Sequence, residues 1–127
     1  MKIPETLRYT ASHEWVRQEA DGTLSVGITD HAQDSLGELV FVELPAAGRQ
    51  LAAGDACAVV ESVKATSDVY APAAGKVVAR NESLADAPSE VNKDCYAAWL
   101  FRIKPDGGAP LDNLMDAQAY RKSFGQT

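Results

Sequence analysis

The sequence contains few cysteines, no long hydrophobic run and no excess of positive charge, and each shortage excludes a class of protein. Two cysteines, Cys57 and Cys95, are too few for a disulfide framework, and no Cys or His spacing typical of a zinc site accompanies them. No apolar run approaches the ~20 residues that span a bilayer. Lysine and arginine number 12 against 18 aspartates and glutamates, which gives a net charge of −6. This balance disfavours binding to nucleic acid or to an anionic membrane, and it favours protein partners.

Length and composition predict one folded domain. The 127 residues, 46% hydrophobic and 24% charged, are typical of a globular protein with a single core. We expect this domain to span residues 1–127, with its core at about 6–105 and a C-terminal helical segment at about 110–124. The opening residues, MKIPETLRYT, contain neither the apolar stretch of a secretory signal nor an Arg/Ser-rich presequence. We therefore expect a cytoplasmic protein.

Turn residues recur at short intervals along the chain, and short segments rich in Val, Ile, Tyr and Phe lie between them. This spacing is typical of an all-β sandwich or barrel. The Asp21-Gly22 pair predicts a hairpin between the first two segments. The predicted strands cover residues 14–19, 23–29, 38–45, 57–63, 67–72, 75–81 and 99–105.

Three segments favour helix instead. DHAQDSLG predicts a short helix, with Asp30 as its N-cap and Gly37 just beyond its C-terminal end. Residues 89–94 predict a helical turn. After Gly107-Gly108 the apolar residues recur at helical spacing, and Asp112 and Asp116 can cap those turns. The sequence therefore predicts a mostly β fold with short helices and a C-terminal helix.

The most informative segment is a predicted hairpin with a lysine at its tip. Two strand-like runs meet at Val63, Lys64 and Ala65, and no Asn-Gly or Gly-Gly pair forms the turn. Small apolar neighbours and two nearby acids, Glu61 and Asp68, indicate an exposed, charged amine. From these local features alone, Lys64 is most simply an ordinary solvated surface lysine.

The same segment, ESVKATSDVYAP at residues 61–72, resembles the lipoyl-lysine signature of the glycine cleavage system H-protein family. Further segments resemble that family in the same order along nearly the whole chain. They are SHEWV at 12–16, VGITDHAQDSLGELVFVELP at 26–45, APAAGKVVARN at 71–81, SLADAPSEVNKDCYAAWLFRIKP at 83–105 and LMDAQAY at 114–120. Several co-linear segments of this length make the resemblance specific.

The resemblance implies a fold and a function. The fold is lipoyl/biotinyl-domain-like: a flattened, quasi-twofold sandwich of two antiparallel sheets, with short helices and a C-terminal helix. Lipoate is attached as an amide to the lysine, here Lys64, as N6-lipoyllysine. The protein catalyses no reaction and serves as a carrier in glycine catabolism and one-carbon metabolism. Its lipoyl arm takes the aminomethyl group of glycine from one enzyme to the next.

The resemblance also implies the partners. Glycine decarboxylase, a pyridoxal-phosphate enzyme, loads the arm, and aminomethyltransferase, a tetrahydrofolate enzyme, unloads it. Dihydrolipoamide dehydrogenase reoxidises the dithiol, and a lipoate ligase or lipoyltransferase attaches the lipoyl group. We expect the carrier to be a monomer.

A loaded arm ends in an ammonium group, which carboxylates and hydroxyls in a cleft would bind. The resemblance places such contacts at Glu14, Ser67 and Asp68, with Ser12 and His31 as weaker candidates. The alternative is that Glu14 and Asp68 are ordinary solvated acids. No metal site is expected.

Two departures from the family pattern are visible. Ser35 stands where family members often carry a polar ring or an amide, so any contact from this position is shorter. The CYAAW segment at 95–99 lacks the usual proline before its tyrosine and one residue before its tryptophan. These departures concern local geometry and leave the carrier function unaffected.

The remaining reactive residues have simpler interpretations. Cys57 and Cys95 are most simply small buried thiols, and the alternatives are a redox pair or a catalytic thiol. His13 and His31 are interpreted as surface or edge residues. The alternative is a catalytic dyad between a histidine and Cys57 or Cys95. Trp15 and Trp99 are expected in the core or in the wall of a cleft.

Four other functions compete with this interpretation. A Schiff-base enzyme needs a lysine with a lowered pKa, whereas carboxylates near Lys64 favour the ammonium. The residues around the modified lysine are typically Met-Lys-Met in biotin carriers and Asp-Lys-Ala in the lipoyl domains of 2-oxoacid dehydrogenases. This chain has Val-Lys-Ala at this position. An H-like protein that relays lipoyl groups to other complexes needs the same lysine and fold. Of the four alternatives, it is therefore the one that the sequence distinguishes least well from a glycine cleavage carrier.

Overall fold

The computed structural model describes residues 2–107 and 111–123, and these form two antiparallel sheets with short helices. The six-stranded sheet has the order β1-β2-β3-β9-β8-β5, and the three-stranded sheet has the order β4-β6-β7. The strands are β1 (Arg8–Tyr9), β2 (Glu14–Gln18), β3 (Leu24–Ile28), β4 (Leu39–Glu43), β5 (Gln50–Leu51), β6 (Ala56–Ser62), β7 (Thr66–Tyr70), β8 (Gly75–Arg80) and β9 (Phe101–Pro105). The helices are α1 (Asp30–Leu36), α2 (Ser83–Asp86), α3 (Glu90–Lys93) and α4 (Ala117–Ser123). The predicted mostly β fold with two antiparallel sheets is confirmed.

One core joins the inner faces of the two sheets. Val26 and Ile103 of the larger sheet belong to the same buried cluster as Val60 and Val69 of the smaller sheet. Burial of such side chains is the main stabilising contribution to the fold. Within residues 2–107 and 111–123, no helix is long and apolar enough to cross a membrane.

Both cysteines lie in this core as free thiols, as predicted. Burial raises the pKa of Cys57 and the pKa of Cys95 to about 12 each. Neither thiol is therefore ionised near neutral pH, and the thiolate is the reactive form. A catalytic or redox role for either cysteine is accordingly disfavoured.

The helix α1 is capped by Thr29 and not, as predicted, by Asp30. The Thr29 backbone is extended, and its hydroxyl accepts a hydrogen bond from the Ala32 amide at 3.3 Å. The Asp30 carboxylate instead accepts bonds from the Lys2 amide and the Gln33 side chain. At the other end, Gly37 has a φ of 83° and its amide bonds to the Gln33 carbonyl, as the sequence predicted.

The C-terminal helix α4 begins later than the apolar spacing indicated. Residues 111–114 form turns, and Met115 pairs with Tyr9 of β1. Asp116 caps α4, as predicted, by accepting a bond from the Ala119 amide at 2.8 Å. Tyr120 then stacks on Tyr9 with ring centroids 4.6 Å apart. Gly108, and both ends of the predicted C-terminal segment at about 110–124, lie outside the described residues.

The β2–β3 hairpin, which the sequence predicted, contains a tight contact between Trp15 and Gly27. The two residues are cross-strand partners, and the Trp15 indole is fully buried and donates to the Cys95 carbonyl at 2.9 Å. A Cβ added to Gly27 would lie 2.6 Å from Trp15 ring atoms. Only glycine therefore fits opposite this ring.

We expect Gly27→Ala to lower the free energy of unfolding by about 1–3 kcal/mol, because the buried ring has to shift to admit the methyl group. Urea unfolding measures the effect. Gly107→Ala is the matched control, since nothing lies within 4 Å of its added Cβ and we expect a change within about 0.5 kcal/mol. Equal unfolding midpoints for the two variants would contradict the expected clash.

Candidate functional site

Lys64 lies at the tip of the β6–β7 hairpin, as predicted. The turn is closed by Ser62, whose amide donates to the Ala65 carbonyl at 2.8 Å and whose hydroxyl accepts from the Ala65 amide at 3.1 Å. Ser62 is buried, whereas Val63 is 89% exposed. A buried serine thus supplies the turn geometry that Asn-Gly supplies in other hairpins.

The Lys64 side chain is exposed and forms no ion pair with any described residue. It passes beside the C-terminal end of α1, because a Cβ added to Gly37 would lie 3.6 Å from Lys64 Cε. The amine is therefore presented at the surface on a short turn held by hydrogen bonds. Such a lysine is accessible to an enzyme that acylates it.

Glu14 is the most buried acidic residue near this hairpin, with an exposed fraction of 1%. Its Oε1 atom accepts bonds from the hydroxyls of Thr10 and Ser12, at 2.5 and 2.6 Å. Its Oε2 atom accepts from the Tyr70 amide at 3.2 Å. Glu14 belongs to β2 and Tyr70 to β7, so this carboxylate connects the two sheets. The interpretation of Glu14 as a solvated acid is wrong.

Ser67 and Asp68 lie on β7 and are exposed. The Asp68 side chain lies on the outward face of β7, two residues before Tyr70, whose backbone amide contacts Glu14. From Thr66 to Tyr70, β7 rises about 13 Å at the usual ~3.3 Å per residue. Strand β7 therefore leads from the Lys64 turn to the Glu14 carboxylate.

A pair of histidines lies beside Ser12 and Glu14. The rings of His13 and His31 are 4.5 Å apart, and His13 Nδ1 lies 2.6 Å from the Tyr120 hydroxyl. Burial, and to a smaller extent the neighbouring His31 ring, lower the pKa of His13. The folded state therefore favours the neutral form of His13. The free energy of unfolding is highest above the ordinary histidine pKa and decreases as the pH falls below it. His31 therefore lies near Glu14 because its ring contacts His13, the residue before Glu14.

These observations place three of the predicted site residues, Ser12, Glu14 and His31, in one region, with Ser67 and Asp68 on the strand that joins it to Lys64. Ser35 is exposed on α1. No group of three His, Cys, Asp or Glu side chains in the described part of the chain is arranged to hold a metal ion.

A family model described as "Glycine cleavage H-protein" matches residues 7–127, which is nearly the whole chain. The chain belongs to the glycine cleavage H-protein family. The glycine cleavage system H protein of Azoarcus sp. is 63% identical over 118 residues, covering 93% of each protein. That of Nitrosospira multiformis is 62% identical over 122 residues, covering 96% of this chain and 95% of the relative.

A solved structure is also similar. The crystal structure of a glycine cleavage system H protein from Mycobacterium marinum matches with a TM-score of 0.87 and 40% identity, covering 97% of this chain and 99% of that chain. Proteins of the glycine cleavage H-protein family carry a lipoyl group on a lysine and are not enzymes themselves. This chain is therefore a non-catalytic lipoyl carrier that acts with the other components of the glycine cleavage system.

Sequence reasoning missed three residues that form hydrogen bonds within this candidate site. Thr10 and Ser62 act through single hydroxyl groups, and Tyr70 acts through its backbone amide. Serine and threonine are common in loops, so no sequence pattern distinguishes Thr10 and Ser62 from other loop residues. The role of Tyr70 depends on which strand lies beside Glu14, and only the packing of the two sheets determines this.

Proposed function

We propose that Lys64 carries the lipoyl group in amide linkage. The observation that supports this assignment is its position at the tip of a hydrogen-bonded turn, exposed and without an ion pair in the described residues. Acylation removes the ammonium charge, so an amine that stabilises no carboxylate is modified without loss of a native ion pair.

On this proposal the arm moves between three enzymes. Glycine decarboxylase loads the aminomethyl group, aminomethyltransferase passes it to tetrahydrofolate, and dihydrolipoamide dehydrogenase reoxidises the dithiol. A lipoate ligase or lipoyltransferase attaches the group beforehand, and the carrier acts as a cytoplasmic monomer. Attachment to one protein raises the effective concentration of the arm at each enzyme to which the carrier is docked.

Glu14 is the proposed acceptor for the ammonium of the loaded arm. An ionised carboxylate has about four lone-pair sites. Thr10, Ser12 and the Tyr70 amide occupy three of them. The remaining site accepts an ammonium without breaking the contact between the sheets. Ser12, Ser67, Asp68 and His31 complete the proposed surroundings of the arm.

A reconstitution separates glycine cleavage from the alternative of relaying lipoyl groups. We expect the lipoylated protein, mixed with the three enzymes, tetrahydrofolate and a two-electron acceptor for the dehydrogenase, to support glycine-dependent release of carbon dioxide. In parallel, it is incubated with an unlipoylated lipoyl domain and the transferase that would move the group. Transfer to that domain without any glycine cleavage would contradict the proposal in favour of the relay.

A further inference from the structure

The outward face of the three-stranded sheet combines apolar and acidic side chains. Cross-strand pairing places Phe41 opposite Glu61, and Glu43 opposite Val59, which in turn pairs with Asp68. Directly opposite residues share a face, and this face is turned away from the core. We name it the outer sheet face and define it by Phe41, Glu43, Val59, Glu61, Asp68 and Tyr70.

Exposed large apolar residues are concentrated on and beside this face. Five such residues are found in the described part of the chain, and four of them, all except Val78, belong to the small sheet or its hairpin. Phe41 is 47% exposed and Tyr70 is 38% exposed. Single exposed apolar residues are ordinary, whereas a group of them on one surface indicates an interaction site.

A β-bulge in β4 extends this apolar surface. The register shifts between Leu39 and Phe41, so that Val40 and Phe41 are both exposed in succession. Strand β4 is an edge of its sheet, and Val63 at the hairpin tip is 89% exposed. Phe41 pairs with Glu61, which lies two residues before Val63, so exposed apolar residues are found on this face and at the turn that presents Lys64.

The carboxylates of this face have no basic partners. Glu43, Glu61 and Asp68 form no ion pair with any residue in 2–107 or 111–123. Carboxylates on an interface select partners with basic residues at matching positions and accelerate association with them. The face is thus complementary to a protein surface with an apolar centre and surrounding lysines or arginines.

We infer that the outer sheet face is the docking surface for glycine decarboxylase, an inference that rests on the proposed role of Lys64. The decarboxylase holds two anions, the cofactor phosphate and the glycine carboxylate, and therefore needs basic groups around its active site. The oxidised lipoyl-lysine that it receives is neutral. Electrostatic attraction for this partner must therefore come from the carrier surface, and these carboxylates lie next to the arm.

Two substitutions on this face test the inference. Phe41→Ser removes the apolar contact and Glu43→Lys reverses one charge, and neither residue is buried. Val78→Ser, on the other sheet with 45% exposure, is the control for the first. Asp86→Lys, at the exposed end of α2, is the control for the second. Complete lipoylation by intact mass and an unchanged melting temperature are required of all four variants.

The measurement is the KM of glycine decarboxylase for each lipoylated carrier, in the exchange of labelled carbon dioxide with glycine. We expect Phe41→Ser and Glu43→Lys each to raise KM about tenfold with little change in kcat, because an interface contact is lost and the chemistry is unaffected. The control variants keep the wild-type KM. We also expect the wild-type KM to rise with salt more steeply than that of Glu43→Lys.

Unchanged KM values for both variants would overturn the inference. An increase of KM for dihydrolipoamide dehydrogenase alone would overturn it also, because the face would then serve another enzyme. Failure of the proposed function has a different signature: the wild-type protein would carry no lipoyl group on Lys64, or would support no exchange at all.

Discussion

Replacing Lys64 with arginine should reduce glycine cleavage to the level measured without any carrier. Arginine keeps the positive charge, but its guanidinium stays protonated at neutral pH and does not form the lipoyl amide. The side chain is exposed and its turn is held by Ser62 and Ala65, so the fold is unaffected. The reconstituted release of carbon dioxide from glycine measures the loss.

Lys76→Arg is the matched control, since Lys76 is an exposed lysine on strand β8 of the other sheet. It should keep full activity and full lipoylation. Residual activity of Lys64→Arg above the carrier-free background would show that a second lysine carries the arm, and would contradict the assignment.

The second large effect is expected for Glu14→Gln. Glutamine keeps the size of the side chain and an oxygen for the Tyr70 amide, so the two sheets stay connected. The charge that holds the ammonium of the loaded arm is lost, and hydrogen bonds to charged groups contribute about 1.5–3 kcal/mol. We therefore expect the aminomethyl adduct to be lost about 10- to 100-fold faster. Release of ammonia from the loaded carrier in buffer measures this rate.

The control for Glu14→Gln is Asp86→Asn, which removes an exposed carboxylate on α2 and should not change the rate. Lipoylation of Lys64 should be complete in both variants, because Glu14 belongs to β2 and the modified hairpin is formed by β6 and β7. If the Glu14→Gln adduct survives as long as the wild-type adduct, the ammonium is bound elsewhere.

Local sequence patterns predicted the elements that local chemistry determines. Alternating apolar segments between turn residues marked the long strands, and Asp21-Gly22 marked the β2–β3 turn. The exposure of Lys64 was predicted from its small neighbours and from the two strand-like segments on either side of it. Strands β1 and β5 were missed because two residues each are too few to show an alternation.

Packing between distant segments was beyond this reasoning. The family resemblance predicted Glu14 as a contact of the arm, but not that Glu14 is buried and accepts a bond from Tyr70, 56 positions along the chain. The contact between the tilted rings of His13 and His31 likewise depends on how α1 lies against the β1–β2 turn. The helix cap is Thr29 and not the predicted Asp30. The Asp30 carboxylate instead accepts a bond from Lys2, 28 positions away in the sequence.

The most direct test of the central claim is the intact mass of the protein from cells supplied with lipoate, followed by peptide mapping of the modified residue. The account predicts one lipoyl increment, located on Lys64 and absent from Lys64→Arg. An unmodified Lys64 would contradict the account, provided that the same cells lipoylate a known lipoyl domain. A biotin increment, or a lipoyl group on another lysine, would contradict it as well.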